Sequence, residues 1–108
     1  MHNEELTLSV LRNIDTLTTQ KSLADELGLS VGKVNYVLKA LIEKGLIKAE
    51  NFFVNKNKNQ YKYLLTDDGI KEKVSLTKKF IIRKKAEYEE LQRDLEADTL
   101  KWGGKLNE

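Results

Sequence analysis

Two glycines, Gly28 and Gly45, punctuate a stretch that reads as two short helices joined by a tight turn. From Thr18 to Ile47 the chain runs TTQKSLADELGLSVGKVNYVLKALIEKGLI. Thr19 is suited to cap the first helix, whose inward positions are Leu23, Ala24 and Leu27. Gly28 follows where a helix ends in a left-handed residue, a conformation glycine adopts without a Cβ clash. Leu29 is expected to be a buried plug in the turn, and Ser30 the N-cap of the second helix. There Val34, Leu38, Leu41 and Ile42 recur at steps of three and four, giving one apolar face that Gly45 closes. The opposite face carries Ser30, Lys33, Asn35, Tyr36 and Lys39. This is the layout of a helix-turn-helix, which lays its second helix in the DNA major groove. A solvated face would also be polar. The mixture of an amide, two lysines and an aromatic without acids is what favours nucleic acid.

The next segment alternates strand formers and turn formers. Phe52, Phe53, Val54, Tyr61, Tyr63, Leu64 and Leu65 flank Asn55-Lys56-Asn57-Lys58-Asn59-Gln60. The pattern predicts a two-stranded hairpin over 47–54 and 61–65 with a polar tip. Behind a helix-turn-helix such a hairpin is a wing. Its tip offers Lys56 and Lys58 to phosphates or a minor groove, although an ordinary soluble loop has the same composition.

The last third predicts one long helix. Thr66 is a hydroxyl cap, and Asp67 and Asp68 suit the positive end of the helix dipole. No proline interrupts the run to Trp102, and Gly103-Gly104 ends it. At about 1.5 Å per residue the helix is on the order of 50 Å long, too long to bury its apolar side within so small a domain. Val74, Ile81, Tyr88, Leu95 and Trp102 fall every seven residues, with Ile70, Thr77, Lys84, Leu91 and Asp98 on the accompanying seam. These read as heptad positions a and d of a coiled coil. The a column is apolar and the d column mixed. Leu76, Phe80 and Ile82 lie off the seam and are expected to pack on the winged-helix body or widen the dimer core. A lone amphipathic helix on its own domain is the simpler alternative.

Charge sharpens the pattern. The net charge is only +2, too small to argue for nucleic acid by itself. The total hides blocks: residues 67–86 hold seven basic residues against three acids, and residues 87–108 three against seven. Parallel pairing of the long helix would set like charges together, whereas antiparallel pairing sets each basic half against an acidic one. The expected partner is therefore a second copy in antiparallel orientation, crossing near Lys84 to Ala86. The basic half is also open to a second use, as extra surface for a DNA backbone.

The absence of cysteine excludes disulfides and thiolate metal sites. The only histidine, His2, sits at the terminus, and no nucleophile–base constellation is visible. Gly28, Gly32 and Gly45 lack the strand–loop–helix context of a phosphate loop. No long apolar run or signal-peptide pattern occurs, so a soluble cytoplasmic protein without cofactors, rather than an enzyme or a membrane protein, is expected.

Taken together, the segments QKSLADELGLSVGKVNYVLKALIEKGLIKAENF, NKNKNQYKYLLTDDGI and KEKVSLTKKFIIRKKAEYEEL resemble the MarR-type winged-helix transcriptional regulators. More narrowly they resemble their small subgroup associated with exopolysaccharide gene clusters. The resemblance spans Gln20 to Leu91, and GKVNY beside KALIEKG with YLLTDDG after the wing is its specific part. It implies a bacterial, dimeric, DNA-binding regulator of polysaccharide genes. Larger members build their dimer interface from helices at both ends and often hold a small-molecule effector near it. Here the N-terminal helix, about Asn3 to Asn13, is short and one helix follows the wing, which leaves an effector open.

The expected fold is therefore mainly α with a small β-hairpin: a winged helix-turn-helix over 1–66, a coiled-coil dimerisation helix over 67–102 and a tail over 103–108. Double-stranded DNA is expected to meet Ser30, Lys33, Asn35, Tyr36 and Lys39 of the reading helix. Lys33 suits guanine or phosphate, Asn35 adenine if it does not point partly inward, Tyr36 a thymine methyl or phosphate, and Lys39 the backbone. Thr19, Gln20 and Lys21 open the preceding helix, where phosphates commonly dock, and Lys56 and Lys58 serve the wing. The rival reading is a winged-helix and coiled-coil protein adaptor without specific DNA binding.

Overall fold

The computed structural model describes residues 4–14, 19–55 and 58–106, with the backbone alone described from 51 to 55 and from 58 to 61. Three short helices, α1 (Glu4–Asn13), α2 (Gln20–Leu27) and α3 (Val31–Glu43), precede two strands, β1 (Ile47–Asn55) and β2 (Lys58–Leu65). The helix α4 (Asp67–Trp102) and a 3₁₀ turn over Gly103–Lys105 follow. The elements match the expected mainly helical winged helix-turn-helix with a long C-terminal helix. The chain divides into two compact units, Met1–Leu76 and Thr77–Glu108. The first thus keeps the opening turns of α4, beyond the division at residue 66 expected from the sequence.

The first unit has a small apolar core. Val10, Leu11 and Ile14 of α1 and its exit, Leu23 and Ala24 of α2, and Val34, Val37, Leu38 and Leu41 of α3 are all buried. Ile47, Tyr63 and Leu76 join them. The buried face of α3 departs from the sequence reading at one position. Ile42 was expected inside but is 39% exposed, and Val37 takes its place. At 100° per residue Val37 and Ile42 flank the arc of Leu41, Val34 and Leu38 on opposite sides, and the packed body buries Val37 and leaves Ile42 in solvent. Leu29, expected as a buried plug, is only half-buried.

Both helix ends carry the chemistry their residues require. Gly28 lies at φ 67°, ψ 33°, and its N–H and that of Leu29 donate to the Ala24 carbonyl, the second at 2.9 Å. Gly45 lies at φ 76°. Its N–H reaches the Ile42 carbonyl at 2.9 Å, and the Leu46 N–H reaches Leu41 at 3.0 Å. This bond pair satisfies the last carbonyls of α3 and turns the chain into β1.

The hairpin is longer at its tip than the sequence suggested. Ile47 pairs with Leu65, Ala49 with Tyr63 and Glu50 with Lys62, with an irregularity between Phe53 and Asn55. Glu50 and Lys62 stand opposite each other and are exposed, a favourable cross-strand pair.

Thr66 joins the wing, the end of α3 and the start of α4. Its N–H donates to the Leu46 carbonyl at 3.1 Å and its hydroxyl to the Gly45 carbonyl at 2.6 Å. The same hydroxyl accepts from the Gly69 N–H at 2.9 Å, and the Thr66 carbonyl accepts from Ile70. Gly69 is buried at this crossing, and a Cβ added there would fall on the Leu46 carbonyl oxygen. Gly69→Ala is therefore expected to destabilise the domain by about 1–3 kcal/mol, the usual cost of overpacking, because backbone cannot swing aside like a side chain. A lowered urea midpoint with unchanged slope would show it.

The second unit continues α4. Phe80 is buried, and the Arg83 guanidinium lies 4.7 Å from its ring centre. In the single chain Leu76 and Phe80 are buried and Ile82 is exposed. The seam positions Ile70, Val74, Ile81, Tyr88, Leu91, Leu95 and Trp102 are all exposed in the single chain, as are Thr77, Lys84 and Asp98. Trp102 has two ammonium groups by its ring, Lys101 at 5.0 Å and Lys105 at 5.3 Å.

Candidate nucleic-acid interface

The second helix of the pair, α3, is anchored by its apolar face and capped at its start. The Ser30 side chain accepts from the Lys33 N–H at 3.1 Å. The Val31 and Gly32 amides fall in the first turn, where no intrahelical acceptor exists. That end favours an anion both by its donors and by the helix dipole.

Beyond the cap the outward face is open. Lys33, Tyr36 and Lys39 are exposed, Tyr36 by 52%, and the Lys33 ammonium lies 5.8 Å from the Tyr36 ring centre. They share one strip of α3 with Gly32 at its head, so a cationic tip, an aromatic edge and a second cation run along the helix. An acid, Glu43, appears only in the last turn. The structure brings Ser30, Lys33, Tyr36 and Lys39 together as the sequence suggested.

Asn35 and Gln20 take a different place. The Gln20 Nε2 donates to the Asn35 Oδ1 at 3.0 Å and to the Tyr63 hydroxyl at 3.2 Å. Asn35 and Gln20 are half-buried and Tyr63 is buried. The cluster ties α2, α3 and β2 through one amide. The Asn35 carbonyl oxygen is engaged there, so the donor–acceptor edge suited to adenine is not presented whole.

At the start of α2, Thr19 and Ser22 cap each other reciprocally. The Ser22 N–H donates to the Thr19 hydroxyl at 3.0 Å and the Thr19 N–H to the Ser22 hydroxyl at 2.9 Å. Lys21 projects next to this cap and is exposed. Lys56 lies outside the described residues, and the Lys58 side chain likewise.

Two residues near the head of α3 escaped the sequence reading. Val31 is an apolar side chain left 47% exposed in the first turn. Gly32 has nothing within 4 Å of the place its Cβ would occupy. An exposed glycine inside a helix costs roughly 0.5–1 kcal/mol relative to alanine, so space within the chain does not explain it. The signal was present in the sequence as a glycine at the second position after a cap.

Among the described residues no cluster of acids or histidine could hold a metal ion. No helix among them is long and apolar enough to cross a membrane.

The trihelical body and the paired strands after α3 form a winged helix-turn-helix. Residues 8–48 match the family described as winged helix-turn-helix DNA-binding. No curated protein matches the chain. Among solved structures, the chain is similar to MepR, a transcription regulator of the Staphylococcus aureus multidrug efflux pump MepA. That likeness has 24% identity and a TM-score of 0.63, covering 99% of this chain and 81% of MepR. The S. aureus MepR–DNA complex is matched at 24% identity and a TM-score of 0.63, over 99% of this chain and 82% of that one. A PadR family transcription regulator from Clostridium difficile shares 17% identity at a TM-score of 0.71, over 80% of this chain and 97% of that one. At these identities the likeness is one of fold.

Proposed function

We propose that this protein is a sequence-specific DNA-binding transcriptional regulator. It acts as a homodimer on an inverted repeat, and controls genes for exopolysaccharide synthesis. The observation that carries the reading is the strip Ser30–Lys33–Tyr36–Lys39, exposed along a helix whose capped N-terminus is exposed as well. Likeness of fold to MepR, crystallised with DNA, supports it. The polysaccharide link rests on the resemblance of GKVNY, KALIEKG and YLLTDDG, and polysaccharide-synthesis genes beside this one would support it.

In this reading α3 enters the major groove. Lys33 and Tyr36 reach base edges, Val31 lies against a thymine methyl, and Lys39 meets phosphate. Ser30 and the first amides of α3, with Thr19 and Lys21 at the head of α2, hold the flanking backbone. Lys56 and Lys58 add the wing. Gln20 and Asn35 set the angle between α2, α3 and the wing, a positioning role in place of direct contact. The exposed apolar seam of α4 is covered by a second copy, antiparallel because its basic and acidic halves then meet.

Mobility shifts at several salt concentrations, on DNA from the gene's own neighbourhood, test the reading. Lys33→Ala should weaken binding by about 1–3 kcal/mol and relax specificity at one base pair if it reads a base. If it holds phosphate it should lower the salt slope by roughly one. Tyr36→Ala should weaken binding on the same scale. Unchanged binding by both variants would refute the assignment.

Gly32 separates stability from binding. Gly32→Ala is expected to raise thermal stability, by up to about 1 kcal/mol, while weakening operator binding because the added methyl meets the groove. A gain in both, read by melting and mobility shift, would remove Gly32 from the interface.

A further inference from the structure

The seam of α4 specifies more than an orientation. We propose that the second copy lies along α4 in one register, with the two-fold axis at the height of Ala86. Trp102 and its lysines then cover the first turn of the other helix. This rests on the homodimer reading above.

In an antiparallel coiled coil, each a position packs in a layer with a d position of the other helix. Trp102 falls against Ile70 of the partner subunit, Leu95 against Thr77 of the partner subunit, and Ile81 against Leu91 of the partner subunit. A shift of one heptad in one direction leaves Asp98 and Trp102 without a counterpart, and a shift in the other leaves Ile70 and Val74. Only the register centred at Ala86 uses every seam position, each of which is exposed in the single chain. Ile70 and Val74 are half in solvent, at 50% and 48%, so the first turns of α4 still offer apolar surface to a second helix.

One polar seam position, Lys84, finds suitable company in this register, whereas Thr77 falls against Leu95 of the partner subunit and Asp98 against Val74 of the partner subunit. Lys84 meets Tyr88 of the partner subunit, a cation beside an aromatic ring, and symmetry makes the contact twice. Arg83 is level with Glu89 of the partner subunit and Lys78 with Asp94 of the partner subunit, which balances charge along the pair without bringing these side chains to a shared flank. Lys71 and Lys79 alone come level with basic residues. In a parallel, in-register pair every charged residue would stand beside its own copy.

The end layer explains an unusual local arrangement. Trp102 is half-exposed with Lys101 and Lys105 against its ring. In the proposed register Lys105 reaches the height of Asp67 of the partner subunit, in the acidic first turn of α4. The indole covers Ile70 of the partner subunit while the ammonium meets the carboxylate, closing the dimer at both ends.

The full chain tests the register through two single-cysteine variants in this cysteine-free sequence. Thr77→Cys and Leu95→Cys, mixed and oxidised, are expected to crosslink to each other and hardly at all when each is alone. The only tryptophan of the chain is Trp102, so its emission reads the end layer. It should move to the red on dilution to monomer, and also in an Ile70→Ser variant that remains a dimer by light scattering. Self-crosslinking of Thr77→Cys alone would overturn the orientation. A dimer with no crosslink in the mixture, or with emission indifferent to Ile70→Ser, would overturn the register while the homodimer stands. A monomer at every concentration would overturn the homodimer and the register together.

Discussion

Leu95→Glu is expected to turn the protein from dimer to monomer and to cost about 10²–10⁴-fold in affinity for a duplex carrying two half-sites. Leu95 is 64% exposed in the single chain, so a glutamate there meets water and leaves the monomer fold intact. In the paired helix the same carboxylate must leave water between the helices, opposite Thr77 of the partner subunit, where one hydroxyl replaces little of its hydration. The loss on DNA is large because two linked reading heads turn the second binding event into an intramolecular one. That linkage alone is worth about two to four orders of magnitude. Binding to a single half-site should change little, since α3 is held by the core of the first unit. Light scattering and mobility shifts on whole and half operators measure both. A variant that stays dimeric would place the interface elsewhere.

Leu41→Ala is expected to cost about 2–5 kcal/mol of folding stability. Its neighbour Ile42→Ala should cost less than about 1 kcal/mol. Leu41 is fully buried on α3 and Ile42 is 39% exposed. The core of the first unit is small, and a domain of this size has about 5–15 kcal/mol in all. Losing Leu41 therefore removes a large share, leaving a cavity under α3 that neighbours close only in part. Urea titrations of the two variants compare them directly. Equal losses would mean that α3 is rotated about its axis so that Ile42 is buried, which would also turn Lys33 and Tyr36 away from a groove.

Most of the architecture was legible in the sequence because its signals are local. Thr19, Ser30 and Thr66 cap the helices they were expected to cap, and Gly28 and Gly45 take the left-handed conformation their positions demand. The span of α4 follows from an uninterrupted helical pattern between a hydroxyl cap and two glycines. What periodicity missed depends on where neighbouring elements sit. Val37 and Ile42 are both apolar and adjacent to the buried arc of α3, and only the packed body selects between them. The same limit applies to the reading surface. Asn35 is as polar as Lys33, and its composition suits a base edge. Its bond to Gln20 depends on α2 crossing near it and on Tyr63 closing in from the hairpin. Gly69 carried no sequence signal beyond its place in the first turn of α4. Its close approach to the Leu46 carbonyl exists only because Thr66 draws the end of α3 onto the start of α4.

We propose that α3 reads a DNA sequence as one half of a two-fold pair. Selection of bound duplexes from a random-sequence pool by the full chain tests it most directly. An inverted repeat whose half-sites lie one or two helical turns apart is expected to be enriched. Lys33→Ala or Tyr36→Ala should blur symmetry-related positions in both half-sites. A pool that shows no enriched sequence at low salt, or one whose preferences persist unchanged in both variants, would contradict it.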